Sequence, residues 1–420
     1  MRSRLKETVS DEALLDALTG TTVVLIADER NLQSHSAQCA FVSAAMLMAR
    51  SGHRVHLVAP EISLIGAQPP LLRDRLIEGL LEVGSDLLPD VEFHTGPPEK
   101  ADLAIVFGDS RWSGQSDITL HLNATRWSGE LSAINACSWN EEDWPFGGLA
   151  AAGIAASEAF KVSMRKLHDH AASSIFYKLF APVLEANLAL APESTPKISH
   201  LGTFDCVSGG AITNATLFAL ARIPEVSGQA RVIEPEPGDL TNMNRYMLMR
   251  RSRCTLRKIV DLATQVLAGL QVAGVEHRYD EETRWGIEPF ASKVLVGVDH
   301  IPSRWLVQQA NPNWLGVGAT EGFYASVSFH TPELACAGCA HPENSKEAGA
   351  IPTVAFVSYI GGLMLAALFA EHAAQNNLPL DRQRRIATTL RLDRPVTWES
   401  LKIHENCPLH HQADREKMSA

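Results

Sequence analysis

Three side chains able to bind phosphate, Asn242, Arg245 and Lys258, fall close together in TNMNRYMLMRRSRCTLRK (241–258). They follow ARVIEP (230–235), a strand-like run whose apolar stretch ends at Glu234. Upstream, HLGTFDCV (200–207) reads as a strand, SGGAITN (208–214) as a small-residue turn and ATLFALARI (215–223) as a helix. Strand, turn, helix and strand open a mononucleotide-binding unit, in which the turn approaches a phosphate and the later acid accepts ribose hydroxyls. Ser208, Gly209 and Gly210 supply the turn and Glu234 the acid. Further on, Asp299 closes the apolar run KVLVGV (293–298), at a strand end where open α/β sheets bind ligands. A carboxylate there suits magnesium bridging phosphate oxygens. The set could hold a nucleotide for chemistry on its phosphates. The plainer reading of each residue is a tight turn, a solvated acid, a capping asparagine or an exposed lysine.

Cys254 stands among Arg250, Arg251, Arg253 and Arg257, an electropositive setting that lowers a thiol pKa, which makes it the candidate reactive cysteine. Cys39 and Cys206 lie in apolar runs and read as buried packing.

The first half carries elements of the same kind. DEALLDALTG (11–20) reads as a helix and TTVVLIAD (21–28) as a strand. SAQCAFVSAAMLMARSG (36–52) reads as a helix closed by Gly52, and HRVHLVAP (53–60) as a second strand. ADLAIVFGD (101–109), ITLHLNAT (118–125) and ELSAINA (130–136) continue the β pattern, and FGGLAAAGIAASEAFKVSMRKL (146–167) is a long small-residue helix. Its counterpart is IPTVAFVSYIGGLMLAALFA (351–370), which passes a membrane length test. Gly361-Gly362, Ser358, Tyr359 and the lack of a flanking basic cluster favour a buried helix instead. The chain is thus expected to be α/β, two tandem Rossmann-like doubly wound domains, with the Pro/Ser/Thr-rich ALAPESTPKIS (189–199) between them. The expected domains are residues 1–194 and 195–420. The first is degenerate: its turn ERNLQSHSAQ (29–38) has no glycine, and nothing like TNMNRY follows its second strand.

Glu234, TNMNRY, Lys258 about thirteen residues past Arg245, and Asp299 together resemble the adenylation core of the ThiF/MoeB and ubiquitin-activating enzyme superfamily, over roughly residues 197–411. Ser208 and Thr213 stand where the family has glycines, Glu234 where it usually has aspartate, and Tyr246 where it has glutamine. The resemblance implies an active ThiF-type domain that binds ATP through Ser208, Gly209, Gly210, Glu234, Asn242, Arg245 and Lys258, with Mg2+ on Asp299. It implies a structural Zn2+ on Cys336, Cys339, Cys407 and His410, His411 being the alternative fourth ligand. It also implies an arginine lent by the other half or subunit, for which Arg2, Arg4 and Arg165 are available.

A duplicated chain is similar to the activating enzymes of bacterial ubiquitin-like (antiphage) operons. That implies antiviral defence, adenylation of a ubiquitin-like protein's C-terminal carboxylate, and a ubiquitin-conjugating-like enzyme as partner. The chain would act as a monomer with pseudo-twofold halves or as a homodimer. Adenylation of a small peptide or a tRNA-bound carboxylate, and a non-enzymatic Rossmann scaffold, are the other readings.

The 420 residues suit two domains, and 45% hydrophobic with 20% charged residues suits globular cores. A net charge of −11 with no long basic tract argues against nucleic acid as a partner. The charged start lacks an apolar signal region, and seven cysteines suit a reducing cytoplasm.

Overall fold

The computed structural model describes residues 9–409 apart from 89, 90, 92, 141, 168–177, 266–268, 343–353, 376, 377 and 379–381. Two sheets are built alike. The first contains β1 (Thr22–Ile26), β2 (Arg54–Val58), β3 (Phe93–Thr95), β4 (Ala101–Phe107), β5 (Ser116–Ala124), β6 (Ser128–Ser132) and β7 (Glu185–Ala189), in the order β3-β2-β1-β4-β5-β6-β7. The second contains β8 (His200–Val207), β9 (Ser227–Ile233), β10 (Leu270–Val275), β11 (Lys293–Val296), β12 (Trp314–Glu321), β13 (Tyr324–His330), β14 (Arg384–Thr388) and β15 (Thr397–Glu399). Its order, β10-β9-β8-β11-β12-β13-β14-β15, repeats the first and adds one edge strand. In each sheet the first five strands are parallel and the remainder antiparallel. Strand order reverses between β1 and β4 and between β8 and β11, which opens a crevice at their carboxyl ends. The tandem Rossmann-like architecture expected from the sequence is the architecture found.

Helices fill one shared layer between the sheets. The ones that matter here are α1 (Asp11–Thr19), α2 (His35–Arg50), α3 (Leu76–Gly84), α4 (Pro145–Arg165), α5 (Ala211–Leu220), α6 (Lys258–Gln265), α7 (Ile301–Gln309) and α8 (Ala355–Gln375). One hydrophobic core runs through both halves, and α7 covers the second sheet's other face through Leu306 and Val307. Small residues let the helices close on one another. A Cβ on Gly362 of α8 would sit 2.5 Å from Ala215 Cβ of α5, and one on Gly153 of α4 would sit 3.1 Å from Ile360 of α8. The Tyr359 hydroxyl of α8 donates to Leu149 O of α4 at 3.0 Å, joining the halves. Gly361-Gly362 therefore permits close packing and does not break the helix. The described apolar stretch of α8 is long enough to cross a membrane, yet 94% of it is buried inside the fold.

RKIVDLATQVLAGL (257–270) reads from its sequence as one helix beginning near Lys258, but α6 ends at Gln265 and Leu270 opens β10. Gly269 accounts for the change, since its φ of +86° and the Val226 carbonyl 2.0 Å from any added Cβ make a strand entry that only glycine fits. The strands β3, β7, β10, β12, β14 and β15 and helix α3 have no counterpart in the sequence reading.

Candidate active site

At the carboxyl ends of β8, β9 and β11 lies a cavity of about 520 Å3, lined among others by Ser208, Gly210, Glu234, Asn242, Arg245, Lys258 and Asp299. The turn after β8 is tight. Ser208 takes φ +91°, a conformation that strains a residue with a Cβ by about 1–3 kcal/mol. Its hydroxyl accepts the Gly210 N–H at 3.0 Å, which offsets part of that strain. Gly209 is fixed from the other strand: its N–H donates to Glu234 Oε2 at 2.8 Å, and an added Cβ would lie 3.0 Å from Glu234 Cγ. Helix α5 then starts at Ala211 with no side-chain cap, and Gly210, Ala211 and Ile212 present its first turn to the cavity. Uncapped helix N–H groups of this kind favour an anion.

Glu234 is buried, and its second oxygen accepts the Glu236 N–H at 3.0 Å. The carboxylate thus ties the turn to the strand end while keeping lone pairs for further donors. Asn242 closes a capping box with Asp239, whose N–H it accepts at 3.1 Å. Arg245 is anchored by its own turn, donating to Thr241 O at 2.6 Å and Asn244 Oδ1 at 3.0 Å. Lys258, first residue of α6, is buried with its Nζ 2.8 Å from Glu236 Oε2 and 3.6 Å from Glu234 Oε1. Burial works against its charge, but Tyr246, Glu236 and Glu234 outweigh that and raise its pKa. Glu236 is lowered in turn, first by its hydrogen bond to Lys258. Tyr246 lies beneath the cations, 5.7 Å from both Arg245 Cζ and Lys258 Nζ to its ring centre. Asp299 is exposed and lines the same cavity. One exposed carboxylate facing a phosphate-sized space fits magnesium, which is held by one or two carboxylates plus substrate phosphates.

The sequence reading missed Arg278, a third cation on the cavity, along with Tyr279, His300 and Ser303. Arg278 follows β10, a strand that the sequence reading did not contain. Arg304 is not a cavity residue. Buried, it donates to Val298 O at 2.9 Å and shores up the Asp299 loop, its pKa pulled to about 10 by burial. Arg165 is exposed at the end of α4 and does not line the cavity, while Arg2 and Arg4 lie outside the described residues.

Cys254 does not have the setting that its neighbours in sequence suggest. It is 5% exposed, and its pKa is raised by burial first and then by Asp261, Asp239 and Asp86. Three of the four surrounding arginines are paired with carboxylates, Arg250 with Glu82 and Asp86, Arg253 with Asp261, and Arg257 with Glu276, while Arg251 donates to Ser85 O at 3.2 Å. Buried, and with its pKa raised, Cys254 is a poor acceptor thiol. Of the seven cysteines only Cys137 is exposed. Cys39, read as apolar packing, is buried but lies 3.4 Å from His35 Nε2 and accepts from Gln68 Nε2 at 3.2 Å. His35 also faces the Ile65 carbonyl at 2.5 Å and the Arg222 carbonyl at 2.7 Å. Carbonyls only accept, so the arrangement suits an imidazolium. Burial opposes that charge, but Cys39 outweighs it and lifts His35 to about 9, while Cys39 itself is lowered.

Cys336, Cys339 and Cys407 converge, buried, with all three sulfurs within 4.8 Å of one another. Cys336 Sγ is 3.7 Å from Cys339 Sγ and 3.4 Å from Cys407 Sγ, close to the edge of about 3.8 Å expected for thiolates around tetrahedral zinc. The three residues fit the metal. His410 and His411, the candidates for a fourth ligand, lie outside the described residues.

Residues 22–177 match the family described as the BilD N-terminal domain. An uncharacterized protein of Sinorhizobium fredii, y4jF, is 25% identical over 234 residues, covering 54% of this chain. The chain matches only 44% of that relative's length. Among solved structures, Escherichia coli MccB with MccA-N7isoAsn is 14% identical at a TM-score of 0.44, covering 69% of this chain and 97% of that one. MccB with ATP is 16% identical at a TM-score of 0.42, covering 62% and 84%.

Proposed function

We propose that the second half binds ATP and Mg2+ and adenylates the C-terminal carboxylate of a ubiquitin-like protein. The observation that carries this reading is the gathering of Glu234, Asn242, Arg245, Lys258 and Asp299 around one cavity at the strand-order reversal. In the reaction a carboxylate oxygen attacks the α-phosphorus, the bond to the bridging oxygen of the β-phosphate breaks, and pyrophosphate leaves with its magnesium. Acyl-AMP remains. Negative charge grows on the phosphate oxygens, and fixed cations are the efficient way to stabilise it. Arg245, Lys258 and the first turn of α5 are placed to do so, with Glu234 toward the ribose and Asp299 toward the metal.

The match of the first half to the BilD N-terminal domain and the duplicated two-half design support a ubiquitin-like protein as the substrate, and we propose antiviral defence as the setting. We place the domain boundary near residue 195 and the protein in the cytoplasm, acting as a monomer of two pseudo-equivalent halves. Zinc on the three cysteines, with a histidine from the C-terminal tail, is a structural part of this reading. Transfer of the acyl group falls to the cysteine of a conjugating enzyme, because Cys254 is unsuited to it.

ATP–pyrophosphate exchange tests the proposal. Exchange should require a small protein with a free C-terminal carboxylate. Exchange driven equally well by an unrelated short peptide would assign the enzyme to peptide adenylation, and no exchange with any carboxylate would overturn the reading.

A further inference from the structure

Every described residue lining the nucleotide cavity comes from position 207 onward, so no described residue of the first half touches it. It does reach the loop that supplies Arg245 and Tyr246. We propose that Arg50, the last residue of α2 in the first half, is a positioning residue for the nucleotide site, holding loop 243–249 in its binding shape. This rests on reading the cavity as an ATP site.

Arg50 is 1% exposed and forms no ion pair among the described residues. Its guanidinium donates instead to three carbonyls of one loop: Met243 O at 2.6 Å, Met247 O at 3.1 Å and Met249 O at 2.6 Å. A buried cation is costly unless its donors are met, so the side chain and the loop carbonyls specify each other's positions. Burial draws the Arg50 pKa down to about 9, which leaves it charged at neutral pH.

The loop is gripped from the other side as well. Asn214 Oδ1 of α5 accepts the Leu248 N–H at 2.8 Å. Just beyond, the first half docks again: Arg251 N–H donates to Asp86 O at 2.7 Å, and Ser252 donates to the Asp86 carboxylate through N–H at 2.7 Å and Oγ at 2.5 Å. Arg245 and Tyr246 therefore sit between anchored carbonyls at Met243 and Met247. A side chain smaller than arginine cannot bridge three carbonyls spread along a turn. Through Arg50 the first half shapes a loop whose side chains line the other half's cavity.

Arg50→Met, Arg50→Lys and Phe41→Ala separate positioning from stability. Phe41 is buried on the same helix but packs on Phe107 within the first half. We expect Arg50→Met to raise the KM for ATP in exchange by about tenfold or more, Arg50→Lys to recover part of that, and Phe41→Ala to lower the melting temperature with KM within about twofold of wild type. An unchanged KM in Arg50→Met, or an equal rise in Phe41→Ala, would overturn the proposal. Amide hydrogen exchange keeps the two readings apart, because it reports on the loop whether or not ATP binds. Amides 243–249 should exchange at least about tenfold faster in Arg50→Met, and unaltered loop protection would sink the clamp. A wild-type chain that binds no ATP while its loop loosens on substitution would instead sink the ATP reading and, with it, the role assigned to Arg50.

Discussion

The two halves present the same strand order and the same crevice, yet among the described residues it is the second half that lines a cavity suited to phosphate. After β8 the chain turns through Ser208-Gly209-Gly210, and the space above stays open between Arg245, Lys258 and Asp299. After β1 the corresponding turn carries Asp28, Glu29 and Asn31, and Asn31 fills the crevice. Its Nδ2 donates to Asp109 Oδ1 at 3.1 Å and Ser110 Oγ at 2.9 Å, and its Oδ1 accepts the Trp139 N–H at 2.8 Å. Asp109, at the end of β4 where the second half has Asp299, is thereby consumed. Asn31 above all, with Ser138 and Arg30, holds its carboxyl below the usual range against a smaller effect of burial. A cleft of about 440 Å3 persists beside β1 and β2, but Asp28 and Glu29 face it, with Arg111 the one cation among its described lining residues. Loss of a phosphate site thus took no change of scaffold. Asn31 in the turn, an acidic rim, and the lack of any counterpart to the segment 241–258 that carries Asn242, Arg245 and Lys258 account for the difference.

The comparison breaks most sharply at paired positions. Lys258→Ala or Asp299→Asn should lower exchange by about 100-fold or more, the size seen when a transition-state charge partner is removed. Asp109→Asn, its pseudo-equivalent, should leave exchange unchanged within about twofold. A loss of activity in Asp109→Asn as deep as that in Asp299→Asn would mean that the halves are not unequal in the way described.

Second in size is the metal. Cys407→Ser should remove bound zinc, measured by elemental analysis, and lower the melting temperature by roughly 5–10 °C. The first half contains no such cluster among its described residues, so the change should fall on the second half alone.

Smallest is a pH effect at the seam between halves, where His35 of α2 meets the Arg222 carbonyl at the end of α5. The folded pKa of His35, about 9, lies above its ordinary 6.5. Its contribution to stability is therefore complete below pH 6.5, shrinks across the interval and is lost as pH passes about 9. Cys39, shifted down, works in the opposite sense and loses its contribution as pH falls through its folded value. Thermal melts of His35→Gln should show a shallower decline between pH 7 and 9.5 than the wild type. An identical slope would remove the imidazolium.

Much of this was legible in the sequence, and the reasons differ by residue. The duplication could be read because each half opens with an apolar run, a helix and a second apolar run, a local pattern. Asn242, Arg245 and Lys258 could be read because their spacing is a motif. Cys254 misled because the pattern shows the arginines beside it and not the carboxylates of Glu82, Asp86, Asp261 and Glu276 that neutralise three of them. Cys39 is buried as read, but its polar partners, His35 four residues back on α2 and Gln68 from another element, went unread. Arg50 could not have been found in the sequence. Its partners are backbone carbonyls far along the chain, and a carbonyl has no sequence signature.

Calorimetric titration of the chain with ATP and magnesium should find one site per chain, absent in Lys258→Ala and unchanged in Asp109→Asn. No measurable binding by the wild-type chain, or binding that survives Lys258→Ala, would contradict an ATP site in the second half.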